Sequence, residues 1–257
     1  MEIRATTVLS CPVPNYAPDM PSFLEALDGD GRVAGTLTIF APTPDTGELT
    51  AFVQPKYRRQ GVFTALLARA EAVLRRNGYT RALLVCSGDS ADGQAVAAHW
   101  GLALEHAESF MVWKGPLPDC APLELRPATE ADVPALVELY TVAFHDGRDQ
   151  ALRFVRNGLD LYRVASRDGR LLGAANVQDG DVLGIYGVAV PPALQGQGYG
   201  KALMTALLRE LSASWPDKRI TLEVDSGNSR ALGLYESCGF VTARREDYFL
   251  RPLPANP

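Results

Sequence analysis

The stretch that decides the fold of this chain is Val188-Ala-Val-Pro-Pro-Ala-Leu-Gln-Gly-Gln-Gly-Tyr-Gly-Lys201. An apolar, strand-like run ends at Val190, a glycine-rich bend follows, and a helix is expected to begin near Tyr199. Such a bend leaves several backbone N–H groups free at the positive end of a helix dipole. The segment therefore predicts a strand–loop–helix unit that binds an anion such as a phosphate.

The glycine spacing does not match two other phosphate-binding loops. A dinucleotide fingerprint that starts at Gly198 would need a small residue at position 203, which is Leu203. A P-loop that ends at Lys201 would need glycine at position 195, which is Gln195. Three alternating glycines, at 196, 198 and 200, instead indicate a backbone that closely approaches its ligand.

The same pattern occurs twice in the chain. Val53-x-Pro-x-x-Arg-x-x-Gly61 aligns with Val190-x-Pro-x-x-Gln-x-x-Gly198 at an offset of 137, and Trp100-Gly-Leu102 aligns with Cys238-Gly-Phe240 at an offset of 138. Two matches in the same order, at offsets that differ by one residue, indicate a duplication. Three prolines within 116–122 are typical of a linker, so we expect a first domain over 1–115 and a second over 123–257.

Hydrophobic periodicity predicts an α/β (α+β) fold, with a mixed, mostly antiparallel sheet flanked by helices in each half. In the second half, Thr129 and Asp132 form a variant capping box, and Asp168-Gly169 is a hairpin turn. The first half resembles this plan, but its proline-rich stretch 11–21 leaves no room for paired helices. We expect strands at 22–28, 33–41, 47–53, 123–127, 161–166, 171–178, 182–190, 220–224 and 240–250, and helices after Thr129, at 148–158, after Tyr199 and at 229–237.

The loop carries a resemblance to a known family. Gln195-x-x-Gly-x-Gly200 resembles the acyl-CoA signature Q/R-x-x-G-x-G/A of the GNAT superfamily of N-acetyltransferases. The run from Asn228 to Phe240 is similar to that family's second signature. The segment Leu222-Glu-Val224 is similar to ribosomal-protein alanine N-acetyltransferases, and the two-copy plan resembles that of mycothiol synthases.

The resemblance implies a tandem GNAT fold that uses acetyl-CoA as cosubstrate. The loop amides would hold the pyrophosphate, and the preceding strand would pair with the pantetheine arm. The implied CoA-binding residues are Val188, Ala189, Val190, Gln195, Gly196, Gln197, Gly198, Tyr199, Gly200, Lys201 and Asn228.

The resemblance also implies an acid–base pair, with Glu223 as base and Tyr235 as acid. An alkyl ammonium has a pKa near that of lysine, about 10.4, and must lose a proton before it attacks a thioester. An ionised carboxylate can accept that proton, and a phenol can protonate the departing thiolate. Glu223 alternatively faces solvent or pairs with an arginine, and Asn228 is either a helix cap or a CoA contact.

The first half departs from this chemistry. Ala97 stands at the position of Tyr235, Ser90 at that of Asn228, and Phe63 replaces the small residue of the loop. We therefore expect no catalysis there. A second CoA site in the first half would involve Val53, Arg58, Arg59, Gln60, Gly61 and Val62.

Composition excludes several other functions. A net charge of −5 provides no global attraction for nucleic acid or anionic lipid, and no apolar run approaches the length that spans a bilayer. The four cysteines and three histidines have no metal-ligand spacing, so we expect no metal and a cytoplasmic location. We predict a monomeric N-acetyltransferase, active in the second half, that acts on an amine-bearing small molecule or a peptide N-terminus. The alternative is a non-catalytic acyl-CoA sensor or interaction module.

Overall fold

The computed structural model describes residues 1–6, 17, 19–144 and 147–253, which form two compact units. The first unit comprises Met1–Ala107 together with Arg245–Pro257, and the second unit comprises Glu108–Arg244. Most of the proline-rich stretch that begins at Cys11 lies outside the described residues.

The first unit contains a mixed sheet with the strand order β1-β2-β3-β4-β5-β12. All neighbours are antiparallel except β4 and β5, which are parallel. Helix α1 buries Leu66 and Leu74 against the sheet residues Leu37 and Leu49. The elements are β1 Glu2–Thr6, β2 Phe23–Leu27, β3 Val33–Phe40, β4 Thr46–Val53, α1 Val62–Arg76, β5 Arg81–Ser87, α2 Ala91–His99, the start of β6 Ala103–Trp113 and the end of β12 Phe240–Pro252.

The second unit has the same plan, with the strand order β7-β8-β9-β10-β11-β6 and a single parallel pair, β10 with β11. One face carries α5 and α6, which pack through Leu203, Leu207 and Tyr235. The other face carries α3 and α4. The further elements are β7 Arg126–Pro127, α3 Val133–Ala143, α4 Arg148–Asn157, β8 Tyr162–Arg167, β9 Arg170–Asp179, β10 Leu183–Ala189, α5 Tyr199–Ser214, β11 Ile220–Asp225 and α6 Ser229–Ser237. The predicted fold class, a mixed sheet flanked by helices in each half, is confirmed.

Each unit takes its last strand from the other half of the sequence. Residues 108–112 of β6 pair with 221–225 of β11, and residues 246–252 of β12 pair with 81–87 of β5. The compact units begin and end at other residues than the predicted domains do. The linear division into 1–115, 116–122 and 123–257 stays a prediction. The segment 114–125 contains no helix or strand.

Local chemistry explains most element boundaries. Asp168 and Gly169 have φ values of 51° and 75°, as a two-residue hairpin turn requires. Thr129 N–H donates to the Asp132 carboxylate at 2.8 Å, which confirms the capping box. The strand predicted from Leu123 begins only at Arg126, because Leu123 and Leu125 pack against the α5–α6 core instead.

Candidate active site

The glycine-rich loop joins β10 to α5 and is held by its own amide side chains. Gln195 Nε2 donates to the Val190 carbonyl at 3.0 Å, and Gln197 Nε2 donates to the Ala193 carbonyl at 2.8 Å. Gly198 is the N-cap of α5, and the first hydrogen bond of the helix is donated by Ala202 to its carbonyl. The N–H groups of the first turn therefore have no acceptor within the helix and are available to an anion.

Glycine is needed at the three positions of this loop for different physical reasons. Gly196 and Gly198 have φ values of 78° and 86°, a region that side chains other than glycine rarely adopt. A Cβ on Gly200 would lie 3.2 Å from Leu234 Cδ2, so this glycine allows α5 to pack closely against α6. Only two of the three glycines are therefore needed for the conformation of the loop.

Strands β10 and β11 separate next to this loop and open a cleft in the sheet. Their pairing consists of Leu183–Ile185 with Ile220–Leu222, and they part after these residues. On its other side, β10 has a bulge against β9, where the register shifts between Tyr186 and Ala189. Gly187, within the bulge, has a φ of 56°, and its carbonyl accepts a hydrogen bond of 2.5 Å from the Tyr140 hydroxyl. The bulge and the parted strands leave the backbone of Val188 to face the opening.

This geometry fits acetyl-CoA. The loop supplies amides and a helix N-terminus for a diphosphate. The separated edge of β10 supplies peptide groups that can pair with the amides of a pantetheine arm. Val188, Ala189 and Val190 line this edge, and Gln195–Lys201 form the loop.

Tyr235 lies on α6 and is only 8% exposed. Its ring packs edge-on against Phe240, with ring centroids 6.1 Å apart. Burial raises the pKa of Tyr235 to about 12, and the nearby Cys238 thiol contributes in the same direction. The phenol therefore stays protonated at neutral pH, as a general acid must.

A buried tyrosine lies near this phenol. Burial raises the pKa of Tyr140 well above its usual value, and charges on Tyr162 and Tyr235 would raise it further. Because Tyr140 also binds the bulge through Gly187, it connects helix α3 to the cleft. Sequence reasoning missed Tyr140, since only the tertiary fold brings α3 to the bulge.

Glu223 lies on the face of the sheet opposite the α5–α6 core. Its neighbours Leu222 and Val224 belong to that core, so the alternation of β11 turns Glu223 to the other face, where it is exposed. Its cross-strand partner is Phe110 of β6, and the Arg244 guanidinium lies 4.0 Å from the centroid of the Phe110 ring. Sequence reasoning missed Phe110 and Arg244, because β6 comes from the other half of the sequence.

Comparison with known proteins decides the family. A model of the acetyltransferase (GNAT) family matches residues 10–101 and 129–240. The chain belongs to the GNAT family of acetyltransferases. It is therefore an N-acetyltransferase, as predicted.

Individual GNAT proteins support the tandem arrangement. The mycothiol acetyltransferase of Thermobispora bispora is 31% identical over 259 residues, covering 87% of this chain and 81% of that protein. A GCN5-related N-acetyltransferase from Sphaerobacter thermophilus has the same fold, with a TM-score of 0.77 at 17% identity over 91% of this chain and 82% of that one. A tandem GNAT protein from the clavulanic acid biosynthesis pathway gives a TM-score of 0.70 at 17% identity, covering 91% of this chain and 83% of that one. The prediction of a tandem GNAT chain is confirmed, while the likeness to ribosomal-protein alanine N-acetyltransferases stays a prediction.

Members of the GNAT family use acetyl-CoA. Two side chains at the start of α6 have identified partners, and one of these partners is in the glycine-rich loop. Asn228 Oδ1 accepts from Ala231 N–H at 3.0 Å and so caps α6, which makes the helix-cap role an observed one. Arg230 Nη1 donates to Gln195 Oε1 at 2.8 Å and brings a positive charge to the loop. Arg230 was missed because it is 35 residues away from Gln195 in sequence.

The loop of the first unit repeats these hydrogen bonds. Arg58 Nε donates to the Val53 carbonyl at 3.1 Å, and Gln60 Nε2 donates to the Lys56 carbonyl at 2.7 Å. Gly61 is the N-cap of α1, with a φ of 80°. The duplication therefore extends to individual side-chain contacts, although CoA binding in this unit stays a prediction.

Among residues 1–6, 17, 19–144 and 147–253, no three His, Cys, Asp or Glu side chains are grouped so that they could hold a metal ion. Over the same ranges, every helix is too short or too polar to cross a membrane.

Proposed function

We propose that this protein transfers an acetyl group from acetyl-CoA to a primary amine in the second unit, by direct attack within a ternary complex. The observation that carries the proposal is the bulge of β10, which lies at the opening between β10 and β11. The first unit has no corresponding register shift between its described strands β3 and β4. This difference favours the second unit as the place of reaction.

Binding would use the loop and the edge of β10. The amides of Gly196–Lys201 would hold the diphosphate, with Gln195 keeping the loop closed and Arg230 adding positive charge. The pantetheine arm would lie along Val188–Val190. The N–H of Val188 would donate to the thioester carbonyl oxygen and stabilise the negative charge that develops there.

The reaction needs two proton transfers. The thioester supplies an activated acetyl group; the amine nitrogen bonds to its carbonyl carbon, and the carbon–sulfur bond breaks. Glu223 would take the proton that the amine loses, directly or through a water, and Tyr235 would give its proton to the departing sulfur. Glu223 faces the side of the sheet opposite the α5–α6 core, so the amine would approach from that side.

A small-molecule amine is the acceptor that we propose. Several relatives are named mycothiol acetyltransferases, which favours a small molecule over a peptide N-terminus. The side of the sheet that carries Glu223 also carries the Phe110 ring, over which the Arg244 guanidinium lies. Arg244, which lies against that ring, would suit an acceptor that bears an oxygen-rich or anionic group beside its amine.

Replacement of the acid tests the assignment of the reaction. In Tyr235→Phe we expect kcat for release of free thiol from acetyl-CoA to fall by about 10²-fold or more, because the thiolate would leave unprotonated. Affinity for CoA, measured by calorimetry, should stay within about twofold of wild type. Tyr162→Phe, which removes another buried phenol of the second unit, is the matched control and should keep its activity.

The assay would use small aliphatic and sugar amines in parallel with peptides that carry a free N-terminus. Unchanged turnover in Tyr235→Phe would remove Tyr235 as the acid. Turnover with peptides alone would overturn the small-molecule assignment but leave the reaction in place.

A further inference from the structure

The first unit contains a cavity of about 530 Å³ that begins at its glycine loop and extends into its core. Arg58, Arg59 and Gly61 line the loop end, and Leu49, Ala97 and Phe249 line the inner end. Strands β4 and β5 pair only through Thr46–Leu49 and Arg81–Leu84, and the cavity lies where they separate. A volume of this size is typical of a small-molecule site.

The loop of this cavity keeps the conformation of an anion site. Gly61 and Gly198 have nearly the same φ, 80° and 86°. Arg59, at the position of Gly196, has a φ of 60°, which is unusual for a residue with a side chain. Such strain is found where the surrounding structure or a ligand needs the conformation. The loop therefore adopts a backbone conformation that costs free energy, and a simple connection between a strand and a helix would not need this conformation.

The charges at this end suit an anionic group. Arg58 Nη1 is 2.5 Å from the Asp92 carboxylate. In the alignment of the two halves, Asp92 corresponds to Arg230 of the second unit. Lys56 and Arg59 are also at or beside the loop, so the positive charges outnumber the negative one. The loop end can therefore still receive a diphosphate.

At the inner end of the cavity, a small side chain replaces the phenol of the second unit and leaves more space. Ala97, 4% exposed, lines the cavity at the position that Tyr235 fills in the second unit. Phe63 and Trp100 stack with centroids 5.6 Å apart and form an aromatic wall. Leu49, Leu84 and Phe249 add apolar surface. A saturated hydrocarbon chain fits this lining better than a polar group does.

The inner end of the cavity also lacks the groups that the transfer of an acyl group would need. Thr50, at the position of Gly187, lies in an uninterrupted register in which Gly35–Phe40 pair with Val53–Glu48. Without a bulge, the β4 amides stay in the ladder with β3. A thioester bound here would have neither the polarising amide nor the acid.

We propose that the first unit binds an acyl-CoA whose acyl chain is longer than acetyl, and that it holds this ligand without transferring the acyl group. The diphosphate lies at the Arg58–Gly61 loop, and the acyl chain fills the space beside Ala97. The site uses only residues of the first unit, so this proposal and the proposed transfer reaction fail independently.

The test measures binding to the full-length protein in a Gly198→Glu background, where the second unit's loop is blocked. Calorimetry would compare acetyl-CoA, octanoyl-CoA and octanoate. Each buried methylene tightens binding about fourfold when fully desolvated, so octanoyl-CoA should bind at least about 30-fold more tightly than acetyl-CoA. Octanoate, which lacks the diphosphate, should bind more weakly than octanoyl-CoA.

Ala97→Tyr places the second unit's residue in the cavity and should abolish the preference for the longer chain. Ala98→Tyr, on the exposed side of α2, is the matched control and should keep that preference. If Ala97→Tyr unfolds at a lower temperature than the background protein, Ala97→Val should give an intermediate loss. Three results would overturn the proposal. These are equal affinity for the two CoA esters, equal affinity for octanoate and octanoyl-CoA, and no binding of any of the three ligands.

Discussion

At the scale of single residues, the cleft depends on Gly187. Its φ of 56° is one that side chains rarely adopt, and a Cβ there would lie 3.0 Å from the Tyr140 ring. Since Tyr140 also donates its hydroxyl hydrogen to the Gly187 carbonyl, the bulge and helix α3 hold each other in place. The bulge therefore has little freedom to adopt another shape.

We expect Gly187→Ala to lower the free energy of unfolding by about 1–3 kcal/mol, because of the strained φ and the close contact. It should also lower kcat more than it changes the affinity for CoA, since the loop is not touched. Gly233→Ala is the matched control, because a Cβ at Gly233 meets nothing within 4 Å and lies in helix α6. Chemical denaturation and steady-state kinetics measure both effects, and equal behaviour of the two variants would contradict the role of the bulge.

At the scale of elements, the start of α3 is held by one carboxylate. Asp132 accepts hydrogen bonds from both terminal nitrogens of Arg126 at 2.7 Å, and from Thr129 N–H. The hydrogen bond from the Arg126 guanidinium is the main reason that the pKa of Asp132 lies well below its usual value. This carboxylate therefore links β7 to the first turn that precedes α3.

Asp132→Asn should cost about 1–2 kcal/mol of unfolding free energy at pH 7, a modest value because Arg126 is half exposed. The folded-state pKa is lower than the unfolded one, so the stabilisation is present above pH 4 and is lost as the pH falls. The difference between variant and wild type should therefore shrink in acid. Denaturation at pH 7 and pH 3, with the exposed Asp149→Asn as control, measures it; a constant difference would contradict the ion pair.

At the scale of the whole molecule, the exchange of last strands makes the linear halves incomplete. The fragment 123–257 would lack Met111, which is fully buried in the core of the second unit. It would also lack the β6 residues that pair with β11, which leaves an open sheet edge. The compact unit 108–244 retains both.

We expect the fragment 108–244 to unfold cooperatively and to be stabilised by CoA, by mass action. The fragment 123–257 should aggregate or unfold without cooperativity. Thermal denaturation with and without CoA compares the two fragments. If the fragment 123–257 were stable and were stabilised by CoA, the result would favour a domain boundary at 116–122 over the compact unit 108–244.

The sequence predicted those features that depend on neighbours along the chain. The capping box at Thr129, the capping of α6 by Asn228 and the hairpin turn at Asp168 each follow from contacts within a few residues. The start of helix α5 at Tyr199, directly after the glycine bend, was predicted for the same reason. These features were therefore present in the periodicity and turn chemistry of single segments.

The sequence by itself determined the duplicated plan, the glycine-rich loop and the family resemblance, because each depends on residues close together along the chain. Only the tertiary structure decided that β6 and β12 complete the opposite halves, that Tyr140 binds the bulge of β10, and that Phe110 lies across from Glu223 and against Arg244. It also decided that Ala97 lines a cavity in the first unit. The physical reason is that strand pairing and side-chain packing join residues far apart in sequence, and one-dimensional periodicity does not record which of them meet.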